Sequence, residues 1–288
     1  MRETNLNWSK WLTQSRFEYM TGEQKEQTIQ WLFTVRDAVL SNADIQATDT
    51  VLDLGTGTGL LGFGALEKIR DKGNVIFSDK FEDCLSACQK IAKELNVQGN
   101  YEFLLSDCCD IKLANNSIDK AVMRSVLVHI LDKKQALSEI CRVLKPQGVY
   151  SAFEPIIRSN TKCWELVSSD MLSDYDDFKE AEEEFMHSMQ DPLTNFDELT
   201  ISQDLQEAGF VDGILDKQVV ESNYVVQSGM VERWVSIPPS PGAKTTKEKF
   251  LLYFEEKKVN NYLKELQLAL ENKPVNIKSN VLFIKAIK

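Results

Sequence analysis

Short apolar runs alternate with helical periodicities through the first half of the chain. The clearest unit is an apolar run over 51–54, then Gly55-Thr56-Gly57-Thr58-Gly59. After it Leu60, Leu61, Phe63, Ala65, Leu66 and Ile69 recur at helical spacing. An apolar run of this kind makes a strand buried on both faces. Strand, glycine turn and helix together open a doubly wound α/β sheet, with a ligand where the backbone permits close approach. The pattern recurs as strands over 75–78, 101–105, 121–130 (with its following turn) and 149–153, and helices over 84–95 and 133–144. Beyond these it predicts a helix over 197–210, a strand over 214–220, a loop over 234–242, a long charged helix over 245–271 and a last strand over 281–287. Residues 6–42 read as two helices broken near Gly22, with an aromatic face that includes Trp8, Trp11, Phe17 and Tyr19. Those aromatics pack on the sheet, close over a ligand as a lid, or do both.

Composition narrows the classes. The net charge of −11 argues against a non-specific nucleic-acid binder. No apolar run spans a bilayer, and the N-terminus lacks the layout of a signal peptide. Six cysteines form no C-x-x-C pair, and with two histidines they offer no zinc cluster, so no metal is expected. Reduced thiols in a cytoplasmic protein are the simplest expectation. Acids crowd residues 165–207, where Lys179 is the single Lys or Arg. That run reads as a solvated face, or as an insertion favouring a cationic substrate.

Asp79 ends the second strand about 20 residues after the glycine turn, where an acid accepts hydrogen bonds from ribose hydroxyls. A dinucleotide fingerprint would need a third glycine at position 60, which holds Leu60. The G-x-G-x-G spacing with Asp53 upstream instead resembles motif I of class I S-adenosylmethionine (SAM) dependent methyltransferases. Asp107-Cys108 resembles the family's adenine loop, an Asp accepting from the amino group and the next main-chain N–H donating to the ring. Arg124-Ser125-Val126-Leu127 resembles a variant group within the family, and Arg142-Val143-Leu144-Lys145-Pro146-Gln147-Gly148 resembles its turn before the fifth strand. Gln147 stands there for a glycine. A positive φ at that residue would cost on the order of 1 kcal/mol.

The resemblance, to the UbiE-like, type 11 group, implies a Rossmann-like doubly wound seven-stranded α/β sheet with its last strand antiparallel. N-terminal helices and a helical cap insertion after strand 5 would flank it. Boundaries follow as a helical lid over 1–44, a SAM-binding core over 45–156, the cap over 157–195, and the rest of the core with a helical excursion over 196–288. The implied cofactor set is Asp53, Gly55, Thr56, Gly57, Asp79, Lys80, Asp107, Cys108 and Arg124, the last forking onto the methionine carboxylate. His129 and Glu154 are candidate bases, and Phe17, Tyr19, Glu154, Trp164 and Asp170 candidate acceptor contacts. The acid run points to N-methylation of an amine or cationic small molecule or peptide N-terminus, by a monomer or homodimer. Alternatives are O- or C-methylation of a metabolite, a non-catalytic SAM-binding partner, and an NAD-dependent oxidoreductase.

Overall fold

The computed structural model describes residues 7–18, 20–69 and 72–288. Its elements are α1 (Trp8–Thr13), α2 (Gly22–Asn42), β1 (Thr50–Leu54), α3 (Leu60–Ile69), β2 (Asn74–Asp79), α4 (Glu82–Glu94), β3 (Tyr101–Leu105), β4 (Ile118–Arg124), α5 (Lys133–Val143) and β5 (Leu144–Pro155). They continue as α6 (Tyr175–Met186), α7 (Glu198–Ala208), β6 (Asp212–Val225), α8 (Met230–Ser236), α9 (Thr246–Phe250), α10 (Glu256–Leu270) and β7 (Pro274–Ile287). Seven strands form one sheet in the order β3-β2-β1-β4-β5-β7-β6, with β1 to β5 parallel. Strand β7 runs antiparallel to β5. Lys288 exchanges main-chain bonds with Gln147 and Gly148, and the carbonyl of Asn280 accepts from Ile156 N–H. The register sets the ends of β1, β2 and β4 level, Leu54 lying beside Ser78 on one side and Met123 on the other.

The chain divides into two compact units. The first holds residues up to Pro155 with Glu198–Lys217 and Leu282–Lys288, and the second holds Ile156–Asp197 and Gln218–Val281. In the first unit β1 is buried from Val51 to Leu54, as its apolar run requires. Helix α2 starts on a capping box. Gln24 N–H donates to the Thr21 hydroxyl at 3.2 Å, and Thr21 N–H donates to Gln24 Oε1 at 3.0 Å. Its Val35, Val39 and Leu40 are buried, and the Ser151 hydroxyl donates to the carbonyl of Val39 at 2.8 Å. Asp119 ties three strand starts together by accepting from Thr50 N–H at 2.9 Å and Lys145 Nζ at 2.8 Å. Gln147 does adopt a left-handed backbone, φ +67.

The second unit surrounds an aromatic core in which Phe178 and Tyr262 stack face to face at 3.8 Å. It joins the cap and the later helical excursion, which the sequence treats as separate pieces. The expected helix over 245–271 is broken. A capping box from Thr245 to Glu248 starts the short α9, and Phe254, in the break, packs 4.5 Å from Phe178. The first part of the expected 234–242 loop is helical, in α8. Strands β6 and β7 run longer than the apolar pattern shows, and most of the β6 residues are exposed.

Candidate functional site

The glycine turn after β1 is fixed from beneath by two carboxylates. Asp53 is 1% exposed, and its Oδ2 accepts from the Thr56 hydroxyl at 2.6 Å and Gly62 N–H at 2.8 Å. Asp79 accepts from Gly57 N–H through Oδ2 and from Phe81 N–H through Oδ1, both at 2.9 Å. Thr56 N–H donates to the carbonyl of Ser78, and the Cys88 thiol donates to the carbonyl of Gly57 at 3.3 Å. Gly55, Gly57 and Gly59 all have positive φ. A Cβ on Gly55 would lie 2.4 Å from Val126 Cγ2, so only glycine brings this main chain so near the β4 turn.

Burial pushes the Asp53 carboxyl up to about 7, against the Thr56 and Gly62 bonds. Burial likewise raises Asp79. Well below its ordinary value of 3.8 such an acid is neutral in folded and unfolded chains alike. As pH rises toward 7 the unfolded chain ionises first, and stability falls until the folded group ionises too. Asp53→Asn should therefore lose less stability between pH 5 and pH 8 than the wild type, by on the order of 1 kcal/mol. Denaturant melts at the two pH values measure the difference.

At the ends of β2 and β3, Lys80 Nζ lies 3.3 Å from Asp107 Oδ2, and Asp107 Oδ1 accepts from Cys109 N–H at 2.9 Å. Cys108 is buried, and among the described residues nothing accepts from its main-chain N–H. At the end of β4, Arg124 is half-buried with Asp53 and Glu154 acting on it electrostatically. Ser125 follows with φ +54, a left-handed residue that turns the chain sharply into the 3-10 turn Leu127–His129.

Glu154 lies deeper than a rim residue. It is 0% exposed, and Val126 and Leu127 N–H donate to its Oε1 at 2.9 and 3.0 Å, with Val128 N–H donating to Oε2 at 3.1 Å. Burial raises its carboxyl to about 7. Facing the main chain and out of solvent, it holds the 125–129 turn, the geometry of a positioning residue.

The other candidates divide by unit. In the first, His129 packs against Trp8 with ring centroids 4.9 Å apart, and burial with Lys133 lowers it to about 4. Phe17 lies under Arg16 at 4.6 Å, while Tyr19 falls outside the described residues. Trp164 and Asp170 belong to the second unit. Lys179 Nζ sits 4.6 Å over the Trp164 ring, and Asp170 is exposed with its carboxyl lowered by the Ser168 hydroxyl.

Sequence reasoning left out how α1 covers the turn. Trp8 touches Phe81, after β2, at 5.7 Å and His129, after β4, so it bridges residues from the two strands flanking β1. A Cβ on Gly57 would come within 2.8 Å of Leu12 Cδ1, and Ser9 N–H donates to Asp83 at 2.8 Å. The Trp8 Nε1 is buried, and among the described residues nothing accepts from it. Its Trp-x-x-Trp-Leu spacing was visible as an aromatic face, but nothing in that pattern says which surface it covers.

These residues fit a sulfonium nucleoside. Carboxylates stand at the β2 and β3 ends, a guanidinium at the β4 end, unpartnered donors at Cys108 and Trp8, and a glycine main chain beneath. A doubly wound sheet with this edge defines a nucleoside-dependent α/β enzyme. The chain belongs to the methyltransferase domain family, whose model matches residues 45–195. SAM is its methyl donor, which removes the dinucleotide reading.

Among relatives, the ubiquinone/menaquinone biosynthesis C-methyltransferase UbiE of Francisella tularensis subsp. novicida is 26% identical over 175 residues, 59% of this chain and 70% of that protein. Its counterpart from Escherichia coli O1:K1 / APEC is 28% identical over 178 residues, 58% and 68% of the two chains. In fold, the chain is similar to a methyltransferase structure from Bacillus halodurans, with TM-score 0.56, 16% identity and coverage of 88% and 99%. It is also similar to phosphoethanolamine N-methyltransferase 2 of Haemonchus contortus in complex with SAM, with TM-score 0.50, 19% identity and coverage of 100% and 61%. Among the described residues no helix is long and apolar enough to cross a membrane, and no His, Cys, Asp or Glu cluster suits a metal ion.

Proposed function

We propose that this chain methylates a small-molecule acceptor at carbon, the acceptor supplying its own nucleophile by ionising. The observation that carries this reading is the state of the two ionisable candidates at the β4 and β5 edge. His129 is held neutral and weakly basic by burial, and Glu154 faces the main chain. A protonated amine would need a base to take its proton before attack. An enol or activated phenol ionises without one. The C-methyltransferase name carried by the UbiE relatives supports the same direction.

The N-methylation reading rested on the acid run, and half of the acids there have basic partners. Asp174 and Asp177 pair with Lys258, Glu183 with Lys162, Asp191 with Lys249, and Asp197 with Arg158, all within the second unit. Glu198 and Glu207 pair with Lys217 and Lys134 in the first. Seven of the run's fourteen acids are compensated in this way, which weakens the charge argument for a cationic acceptor.

Bound SAM supplies an electrophilic methyl on a sulfonium. The chain's part is to hold and dehydrate: the glycine turn and Asp79 position the nucleoside, Arg124 orients its carboxylate, and α1 covers the turn against water. Incubation with methyl-labelled SAM and a metabolite extract tests the proposal. Label should appear in small molecules in a form stable to alkali and acid. Label in an alkali-labile ester, in an amine or in macromolecules would contradict it. His129→Asn should leave the shape of the kcat/KM profile between pH 6 and pH 9 unchanged and lower the rate by less than about tenfold. A limb near pH 6.5 that vanishes in the variant would restore His129 as a base.

A further inference from the structure

Two guanidinium groups of the first unit lie half-buried without an ion pair among the described residues. Arg16 is stacked 4.6 Å from the Phe17 ring and 6.0 Å from the Trp11 ring, and its Nε is buried with no hydrogen-bond partner. The charge that bears on it is the like charge of Arg124, which together with burial lowers it to about 10. Arg124 has two acids acting on it. Those acids already accept from Thr56, Gly62 and the 126–128 main chain.

Bringing two cations together away from water is costly unless anions join them. A single carboxylate from the cofactor offsets one positive charge and leaves the other. Among the described residues nothing accepts from Arg16 Nε, and a guanidinium meets a carboxylate bidentately. Trp8 Nε1, on the same N-terminal segment, is a second buried donor with no acceptor among the described residues.

We propose that Arg16 binds a carboxylate of the methyl acceptor while Arg124 takes the carboxylate of the cofactor, so that the enzyme selects anionic acceptors. This rests on the SAM site argued above and reverses the cationic preference expected from the acid run. Arg16 is then a specificity residue, and the two guanidiniums set the acceptor's acidic end beside the cofactor's amino-acid end.

Calorimetry on the full chain separates the two possible sources of the anion. The protein is titrated with S-adenosylhomocysteine, with methylthioadenosine, which lacks the amino-acid carboxylate, and then, saturated with S-adenosylhomocysteine, with benzoate. Wild type should bind all three. Arg16→Gln should keep its S-adenosylhomocysteine affinity within about twofold and lose benzoate affinity about tenfold or more, with Arg16→Lys recovering part of it. The proposal is overturned if Arg16→Gln loses S-adenosylhomocysteine but not methylthioadenosine affinity, since its guanidinium would then serve the cofactor. Benzoate bound equally by wild type and variant, or by neither, overturns it as well. A wild type that ignores S-adenosylhomocysteine is a different failure, that of the cofactor assignment itself.

Discussion

Gly55→Val should abolish SAM binding, weakening it by on the order of 100-fold or more. Two costs combine. Residue 55 sits at φ +62, where an L side chain costs roughly 1–2 kcal/mol. Its Cβ would also meet Val126 Cγ2 at 2.4 Å and Cγ1 at 2.8 Å, and overpacking of this kind costs typically about 1–3 kcal/mol. Val126 cannot yield easily, because its N–H is held by buried Glu154. The strain falls on the main chain that carries the nucleoside, so affinity is lost whether or not the fold survives. Gly57→Ala is the informative comparison. Its Cβ meets only Leu12 Cδ1, the tip of a flexible side chain, and its loss should be clearly smaller. Calorimetry on both variants, with melts to confirm folding, measures the order. Equal losses would mean that the β4 turn is not the rigid wall described.

The second large effect is on stability. Glu154→Ala strands three N–H donors at residues 126–128, two buried and one part-buried, each costing about 1–3 kcal/mol, so a loss of about 3–6 kcal/mol is expected. That is a large part of the stability of an ordinary domain. Glu154→Gln tests the geometry more finely. Its amide NH₂, at the place of one oxygen, would face either Val128 N–H or the pair at 126 and 127, and a donor against a donor should cost about 1–3 kcal/mol. Denaturant unfolding resolves both. Were Glu154 to touch the acceptor instead, both variants would unfold like the wild type and lose only turnover.

The central α/β unit was readable because each part carries its own local signal. Apolar run, glycine triplet and helical period mark β1 to α3. The left-handed backbone at Gln147 (φ +67) fits the glycine that the family's turn carries there, a signal that came from the resemblance of residues 142–148. Asp79 and Asp107 were placed at strand ends by the ends of apolar runs, and the structure puts them at neighbouring edges. What escaped depends on contacts between distant parts. Burial of Glu154 against the 126–128 main chain has no sequence period. The acid run looks unpaired in sequence because Lys249 and Lys258 lie some 58 to 81 residues from their partners. The position of α1 over the turn is a matter of packing, and strands β6 and β7 extend past their apolar runs.

Everything above depends on the edge formed by β1, β2 and β4 holding SAM. Titration of wild type, Asp79→Ala and Asp107→Ala with S-adenosylhomocysteine, with NAD as control, tests that most directly. One-site binding by wild type is expected, weakened about tenfold or more in each variant, with no response to NAD. Silence toward S-adenosylhomocysteine at millimolar concentration, or binding that both variants retain in full, would contradict it.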